Sequence, residues 1–238
     1  MALFDKKYCD VCGAKIGLMG NKKLSDGNLC KNCAKQLSPW TKDRRQSSVD
    51  EIKSHLDYRE QNKEKLKDFN TTKTLGNAVK VYIDEDKGLF LVSRSSRWQD
   101  ENPDIMEFSQ VTGCHVDVDE SRTELKRKNA TGEEVGFNPP RYEYSYDFTM
   151  RMHINSPWFN EISFPLTTGS VTEKSSPEYK EAESLGRQIE QAIRKIHTNV
   201  RAQVEEANAP KQQVKCPHCG AATVPTRSGC CEYCQGVI

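Results

Sequence analysis

The clearest signal along this chain is an alternation. In the stretch RYEYSYDFTMRMHI, Tyr142, Tyr144, Tyr146, Phe148, Met150, Met152 and Ile154 fall on one face. Arg141, Glu143, Ser145, Asp147, Thr149, Arg151 and His153 fall on the other. Period-two patterning of this kind predicts a half-buried antiparallel strand. Ser156 and Pro157 break it. Trp158, Ile162 and Phe164 then continue in phase and predict the hairpin partner. Upstream, AVKVYI and GLFLVSR flank the turn DEDKG, a second hairpin signal. IMEFSQVTGCHVDVD adds two short apolar runs, with a bend expected near Gly113.

Two other segments carry the helical period. Over residues 176–207, Leu185, Ile189, Ile193, Ile196, Val200 and Val204 form one stripe. Over residues 46–69 the stripe is weaker. It begins with Val49, Ile52 and Leu56 and reaches Leu66 through a highly charged middle. Ser48 and Glu51 there have capping-box spacing. This segment is expected to be a largely solvated linker helix that docks one face on a neighbour.

Six or seven short antiparallel strands followed by one amphipathic helix resemble a pleckstrin-homology-like or GRAM-like barrel, in which the helix plugs the open end of a bent sheet. IMEFSQVTGCHVDVD is also similar to a strand-and-turn of bacterial PH-like domains. The fold expected is therefore α+β, a PH-like antiparallel β-barrel capped by a C-terminal helix, with small cysteine modules at both ends.

The cysteines are what those end modules rest on. The chain has 238 residues and 10 cysteines, with 35% hydrophobic and 29% charged residues. The apolar fraction is low for one large core, so metal staples are expected beside a small one. The cysteines come as CxxC pairs, and the start of the chain has no apolar leader, so metal binding is favoured over disulfides. Cys9, Cys12, Cys30 and Cys33 form one set, with 17 residues between the pairs. That spacing suits a zinc ribbon or a treble-clef-like site. Gly13 relieves the turn after Cys12. Redox-active thiols are the competing reading.

The C-terminal stretch CPHCGAATVPTRSGCCEYC holds five cysteines where a site needs four. Cys216 and Cys219 form the first knuckle. Its partner should keep the two-residue gap, which Cys231 and Cys234 have and Cys230 does not. The predicted ligands are therefore Cys216, Cys219, Cys231 and Cys234, with Gly220 and Gly236 easing the turns. His218 lies inside a knuckle and is expected to point outward. Two Zn2+ ions, each held by four thiolates, would be structural: a hydrolytic zinc needs an open position for water.

Other chemistry is thin. Cys114 and His115 are adjacent, but neighbours on a strand point to opposite faces and cannot act as a pair. His55, His153 and His197 lie on polar faces. Asp84, Glu85 and Asp86 are expected in a solvated turn. There is no phosphate loop, nucleophile elbow or useful carboxylate pair, so no small-molecule substrate is expected. Basic residues occur at Lys22 and Lys23, at Lys42, Arg44 and Arg45 after Trp40, and at Lys126, Arg127 and Lys128 in a presumed loop. The net charge is only +1, so these read first as solvated surface, and as nucleic-acid or anionic-lipid contacts second. No apolar run approaches the roughly 18 residues of a membrane span.

The segment CDVCGAKIGLMGNKKLSDGNLCKNCAKQLSPW, with SVDEI soon after, resembles a zinc-ribbon domain of unknown function common in Gram-positive bacteria. The likeness extends over residues 5–75. The tail is similar to widespread zinc-ribbon tails, in which the position of Cys230 is usually not cysteine. The resemblance implies zinc binding and no activity. The expected organisation is an N-terminal ribbon at 1–45, a linker helix at 46–72, a PH-like domain at 73–207 and a C-terminal ribbon at 208–238. The function expected is non-enzymatic, cytoplasmic and interactive: an adaptor for a protein partner.

Overall fold

The computed structural model describes residues 7–208, 213–224, 226 and 229–237, with the backbone alone over 196–208. The chain divides into two units, Met1–His197 and Thr198–Ile238.

The first unit opens with two small hairpins. Strand β1 (Lys7–Tyr8) pairs with β2 (Lys15–Ile16), and β3 (Lys22–Lys23) with β4 (Asn28–Leu29). Helix α1 (Lys31–Gln36) follows. Leu24, Leu29 and Leu37 pack around buried Cys9, Cys30 and Cys33. So small a core closes only with help from the next element, α2 (Val49–Lys67), which contributes Ile52 and part of Leu56.

Helix α2 starts where its sequence signals it. Ser48 Oγ accepts from the Glu51 amide at 3.2 Å, and Glu51 Oε2 accepts from the Ser48 amide at 2.8 Å. The Val49 amide donates to Asp26 Oδ1 at 2.8 Å, so the ribbon supplies part of the helix cap. The body of the helix departs from expectation in part. Its buried residues are Ile52, His55, Arg59, Asn62 and Leu66, a helical stripe whose three middle members are polar. The helix docks one face, as expected, and leaves most of the rest exposed. It buries hydrogen-bonding groups, which hydropathy patterning reads as surface.

Strands β5 (Lys73–Leu75), β6 (Lys80–Asp84), β7 (Leu89–Ser93) and β8 (Met106–Glu107) form an antiparallel sheet in that order. The β6–β7 hairpin is covered on both sides. Val81, Ile83, Phe90 and Val92 enter the main core. Tyr82 and Leu91 face Leu66, Phe69, Trp98 and Ile105. Asp84, expected in solvent, is fully buried. It accepts from the amides of Asn70 at 3.0 Å and Lys87 at 3.1 Å and so pins the turn.

The chain then bends through a short helical turn at Phe108–Gln110, and the ladder that follows is irregular at Thr112, beside the bend expected near Gly113. Strand β9 (Val111–Glu124) begins with a register shift: Val111 faces Ile154 and Gly113 faces His153, with Thr112 left between them. A Cβ on Gly113 would lie 3.2 Å from the imidazole. Beyond it, β10 (Lys126–Lys128) pairs with β11 (Glu134–Gly136), so Lys126, Arg127 and Lys128 occupy a strand and not a loop. Strand β12 (Tyr142–Ile154) returns along β9 and pairs with β13 (Glu161–Pro165) on its other side. Its alternation is realised: Tyr146, Phe148, Met150, Met152 and Ile154 are buried, whereas Tyr142 lies exposed on the overhanging end.

Helix α3 (Pro177–Asn208) packs Ala182, Ile189, Ala192 and Ile193 onto the same core, with Leu185 partly buried beside them. Gly186 brings it against β9: a Cβ there would stand 2.4 Å from Val116 Cγ2. The predicted stripe members Ile196, Val200 and Val204, and His197, have side chains outside the described residues.

Both sheets and α3 thus share one core. Among the described residues no ladder joins the four-stranded sheet to the three-stranded sheet β13–β12–β9. The closed barrel expected from the sequence is replaced by two separately hydrogen-bonded sheets packed together. No helix is long and apolar enough to cross a membrane among the described residues. In the second unit, β14 (Val214–Lys215) pairs with β15 (Ala222–Thr223).

Candidate metal centres

Each cysteine pair sits in a turn that its backbone makes nearly obligatory. At the first, the Gly13 amide donates to the Cys9 carbonyl at 2.8 Å, and the Cys9 amide donates to the Ala14 carbonyl at 2.9 Å. Gly13 takes a φ of +71°, which an L side chain rarely adopts. At Cys216 the same pattern recurs. Gly220 donates to the Cys216 carbonyl at 2.9 Å, Cys216 donates to the Ala221 carbonyl at 2.9 Å, and Gly220 has a φ of +73°. The shared sequence Cys-x-x-Cys-Gly-Ala encodes one geometry at both ends of the chain.

The second knuckles differ from each other. Cys30 caps α1, and its sulfur accepts from the Cys33 amide at 3.4 Å, so Cys33 rises from the first helical turn onto the same side. Cys231 repeats the turn of the first knuckles: Gln235 donates to its carbonyl at 2.9 Å, and its own amide donates to the Gly236 carbonyl at 2.8 Å. Here Gln235, at a φ of +58°, holds the left-handed position, and not Gly236. Gly236 serves a different purpose. A Cβ on it would meet His218 Cδ2 at 2.6 Å, so its bareness lets the imidazole lie across the second knuckle.

These turns gather the sulfurs. Those of Cys9, Cys12, Cys30 and Cys33 all lie within 4.8 Å of one another, as do those of Cys216, Cys219, Cys231 and Cys234. The separations are 4.0 Å for Cys9–Cys33, 3.7 Å for Cys12–Cys30, 3.6 Å for Cys216–Cys234 and 3.6 Å for Cys219–Cys231. A disulfide would need about 2.05 Å. Four sulfurs at about 2.3 Å from a tetrahedral zinc would be about 3.8 Å apart, and the observed spacings cluster around that value. Both quartets can hold a metal ion. The surplus Cys230 stands outside the cluster. Its amide donates to Thr226 Oγ1 at 3.1 Å, and it bridges to Val237, so it builds the turn that delivers Cys231.

The thiols are electrostatically unequal. Burial works to raise the Cys9 thiol, but the amides of Cys12, Cys30 and Val11 outweigh it and bring it down to about 6. The Cys234 amide, working against burial, brings Cys231 down to about 6 as well. Cys33 is driven well above the ordinary thiol value by burial and by the neighbouring sulfurs. Each quartet therefore offers a ready thiolate to begin coordination, and metal binding would displace protons from the others.

The remaining candidates do not assemble. Cys114 is turned inward with its sulfur 3.4 Å from Met150 Sδ, and burial pushes it up to about 12. His115 lies on the opposite face, 3.2 Å from Asp117 Oδ1. His153 approaches His115 at 5.8 Å between ring centroids. His55, expected on a polar face, is buried and stacks on Trp158 at 4.8 Å.

The N-terminal quartet lies in a recognised family segment. Residues 7–55 match the model of a domain of unknown function, DUF4428. No curated protein and no solved structure matches the chain. The matched segment runs past the ribbon to His55. It thus includes the capped start of α2, which the ribbon itself completes through Asp26.

Proposed function

We propose that this chain is a non-enzymatic zinc protein of the cytoplasm, an adaptor whose ribbons and PH-like core present surfaces to a protein partner. The observation that carries the reading is the tetrahedral spacing of two complete thiolate quartets. Four thiolates fill the coordination of a zinc ion and leave no position for a reacting water, which is the arrangement of a structural staple. The core supports the PH-like part: two antiparallel sheets and a C-terminal helix enclose one apolar interior. Such small modules fold on their metal, so the staples serve the shape of surfaces and not a reaction.

Metal analysis and affinity capture together test this. The purified chain should contain two zinc ions, and the tagged chain should retain a protein from its host that survives nuclease treatment and detergent. Fewer than one zinc per chain would sink the staple reading. Retention of nucleic acid that is lost at high salt, or of anionic lipid vesicles, would replace the protein partner by one of those ligands.

A further inference from the structure

Where a closed barrel was expected, the two sheets leave a cleft of about 910 Å³. One side is the end of β5, the edge strand of its sheet, whose outer flank carries no other strand among the described residues. The other side is the chain after β13. That segment bonds to β12 at Leu166, whose amide meets the Phe148 carbonyl at 2.9 Å. It rejoins β12 at Val171, which exchanges amide and carbonyl bonds with Tyr146 at 2.7 and 2.9 Å. The four residues between, Thr167 to Ser170, arch away along the cleft wall. Leu75, Leu166 and Val171, with Ala182 and Leu185 of α3, make up its apolar part. Its charged lining is entirely acidic, from Glu173, Glu178 and Glu181, with no lysine or arginine.

We propose that this cleft is a docking groove for an extended, cationic peptide segment of a partner protein, which adds as a strand on the outer edge of β5. An extended segment would bond its main chain to the open strand edge and send alternate side chains to opposite sides. Apolar residues would then meet Leu75, Leu166 and Val171, and lysine or arginine residues between them would meet the glutamates. Charge complementarity selects this occupant over an acidic or neutral strand. The open edge is also what a protein protects when it is not used for binding, and here it borders the cleft instead. The proposal rests on reading the chain as an interaction protein and names the surface and the partner's chemistry.

The test uses the full zinc-loaded chain and a fluorophore-bearing, end-blocked hexapeptide of alternating valine and lysine, read by fluorescence anisotropy. Two control peptides replace lysine by glutamate, or methylate alternate backbone amides on one edge. The lysine peptide should bind, and each control should bind at least about tenfold more weakly. The exposed pair Glu173→Lys/Glu181→Lys should weaken the lysine peptide at least about tenfold while leaving zinc content and circular dichroism unchanged. Equal binding of all three peptides, no binding of the lysine peptide, or concentration-dependent self-association of the chain through β5 would each overturn the groove. If the charge-reversed chain still captures the same host protein, the groove is wrong and the adaptor reading stands. If the unaltered chain captures no protein, the adaptor reading fails first.

Discussion

Arg59 of α2 reaches across to Asp104, Nη1 to Oδ1 at 2.7 Å, and both side chains are almost wholly withdrawn from solvent. The pair is fully surrounded. Arg59 Nε donates to the Gln36 carbonyl at 3.1 Å, and Nη2 donates to the Asn102 carbonyl. Ser38 Oγ donates to Asp104 Oδ2 at 2.7 Å. One guanidinium thereby joins the end of the ribbon, α2 and the loop before β8.

Removing one partner of that pair should be far worse than removing both. Arg59→Met strands a buried carboxylate, and Asp104→Leu strands a guanidinium. Each should cost about 3–5 kcal/mol, whereas the double variant Arg59→Met/Asp104→Leu should recover most of the loss. Urea denaturation of the four proteins gives the cycle. Additive losses would show that the two side chains do not act as a unit.

His55 should make the protein sensitive to mild acid. Its Nε2 accepts the Ser38 amide at 3.3 Å, and burial, aided by the Arg59 charge, lowers the imidazole to about 4. An unfolded histidine titrates near 6.5. Between those values the unfolded chain takes up a proton that the folded chain refuses. Stability therefore falls as pH drops through about 6.5 and the loss levels off near 4. Burial raises the nearby Asp104 carboxyl, which works in the opposite sense. The comparison with His55→Phe isolates the histidine: the gap between the two proteins should narrow steadily from pH 7 to pH 4. A constant gap would mean that His55 is not held neutral.

The contact of Gly186 with Val116 predicts a helix substitution that behaves backwards. Glycine to alanine inside a helix normally gains about 1 kcal/mol. Here the added methyl would fall 2.4 Å from Val116 Cγ2, so Gly186→Ala should destabilise by about 1–3 kcal/mol. Trimming the opposing side chain, as Gly186→Ala/Val116→Ala, should return part of that loss. Thermal melts of the single and double variants decide it.

At the C-terminal quartet, Cys230→Ser should retain both metal ions, and Cys231→Ser should lose or loosen one. Titration with a chromogenic zinc chelator reads the difference. Gln235→Gly should tighten the same site, because it removes a left-handed strain of about 1 kcal/mol. A Cys231→Ser chain with two tightly held ions would reassign the ligand.

How much of this was written in the sequence depends on what each element buries. Strand β12 was legible because its inner residues are apolar and its outer ones polar, which is all that periodicity can report. The quartets were legible because the two-residue gap is a local covalent constraint, so Cys231 could be chosen over Cys230 without tertiary information. The middle of the docked face of helix α2 was missed because His55, Arg59 and Asn62 find their partners at Ser38, Asp104, Asn102 and Ile105, far away in the chain. Asp84 was misjudged for the same reason: its partners are backbone amides, which no residue name announces. The irregularity expected near Gly113 falls at Thr112, whereas the other role of that glycine, making room for His153, is a requirement set by the opposing strand. The gap between the sheets was invisible because strand count and alternation say nothing about whether the last edges meet.

The dependence of α2 on the ribbon has a thermodynamic result. Asp26 completes the helix cap, Ile52 lies in the ribbon's own core, and Arg59 carries the helix to the loop before β8. A ligand that binds only the folded chain adds stability that grows with the logarithm of its free concentration. Any ion gripped by Cys9, Cys12, Cys30 and Cys33 therefore stabilises more than the ribbon. Its free concentration becomes a variable in the equation of state of a sheet that it never touches.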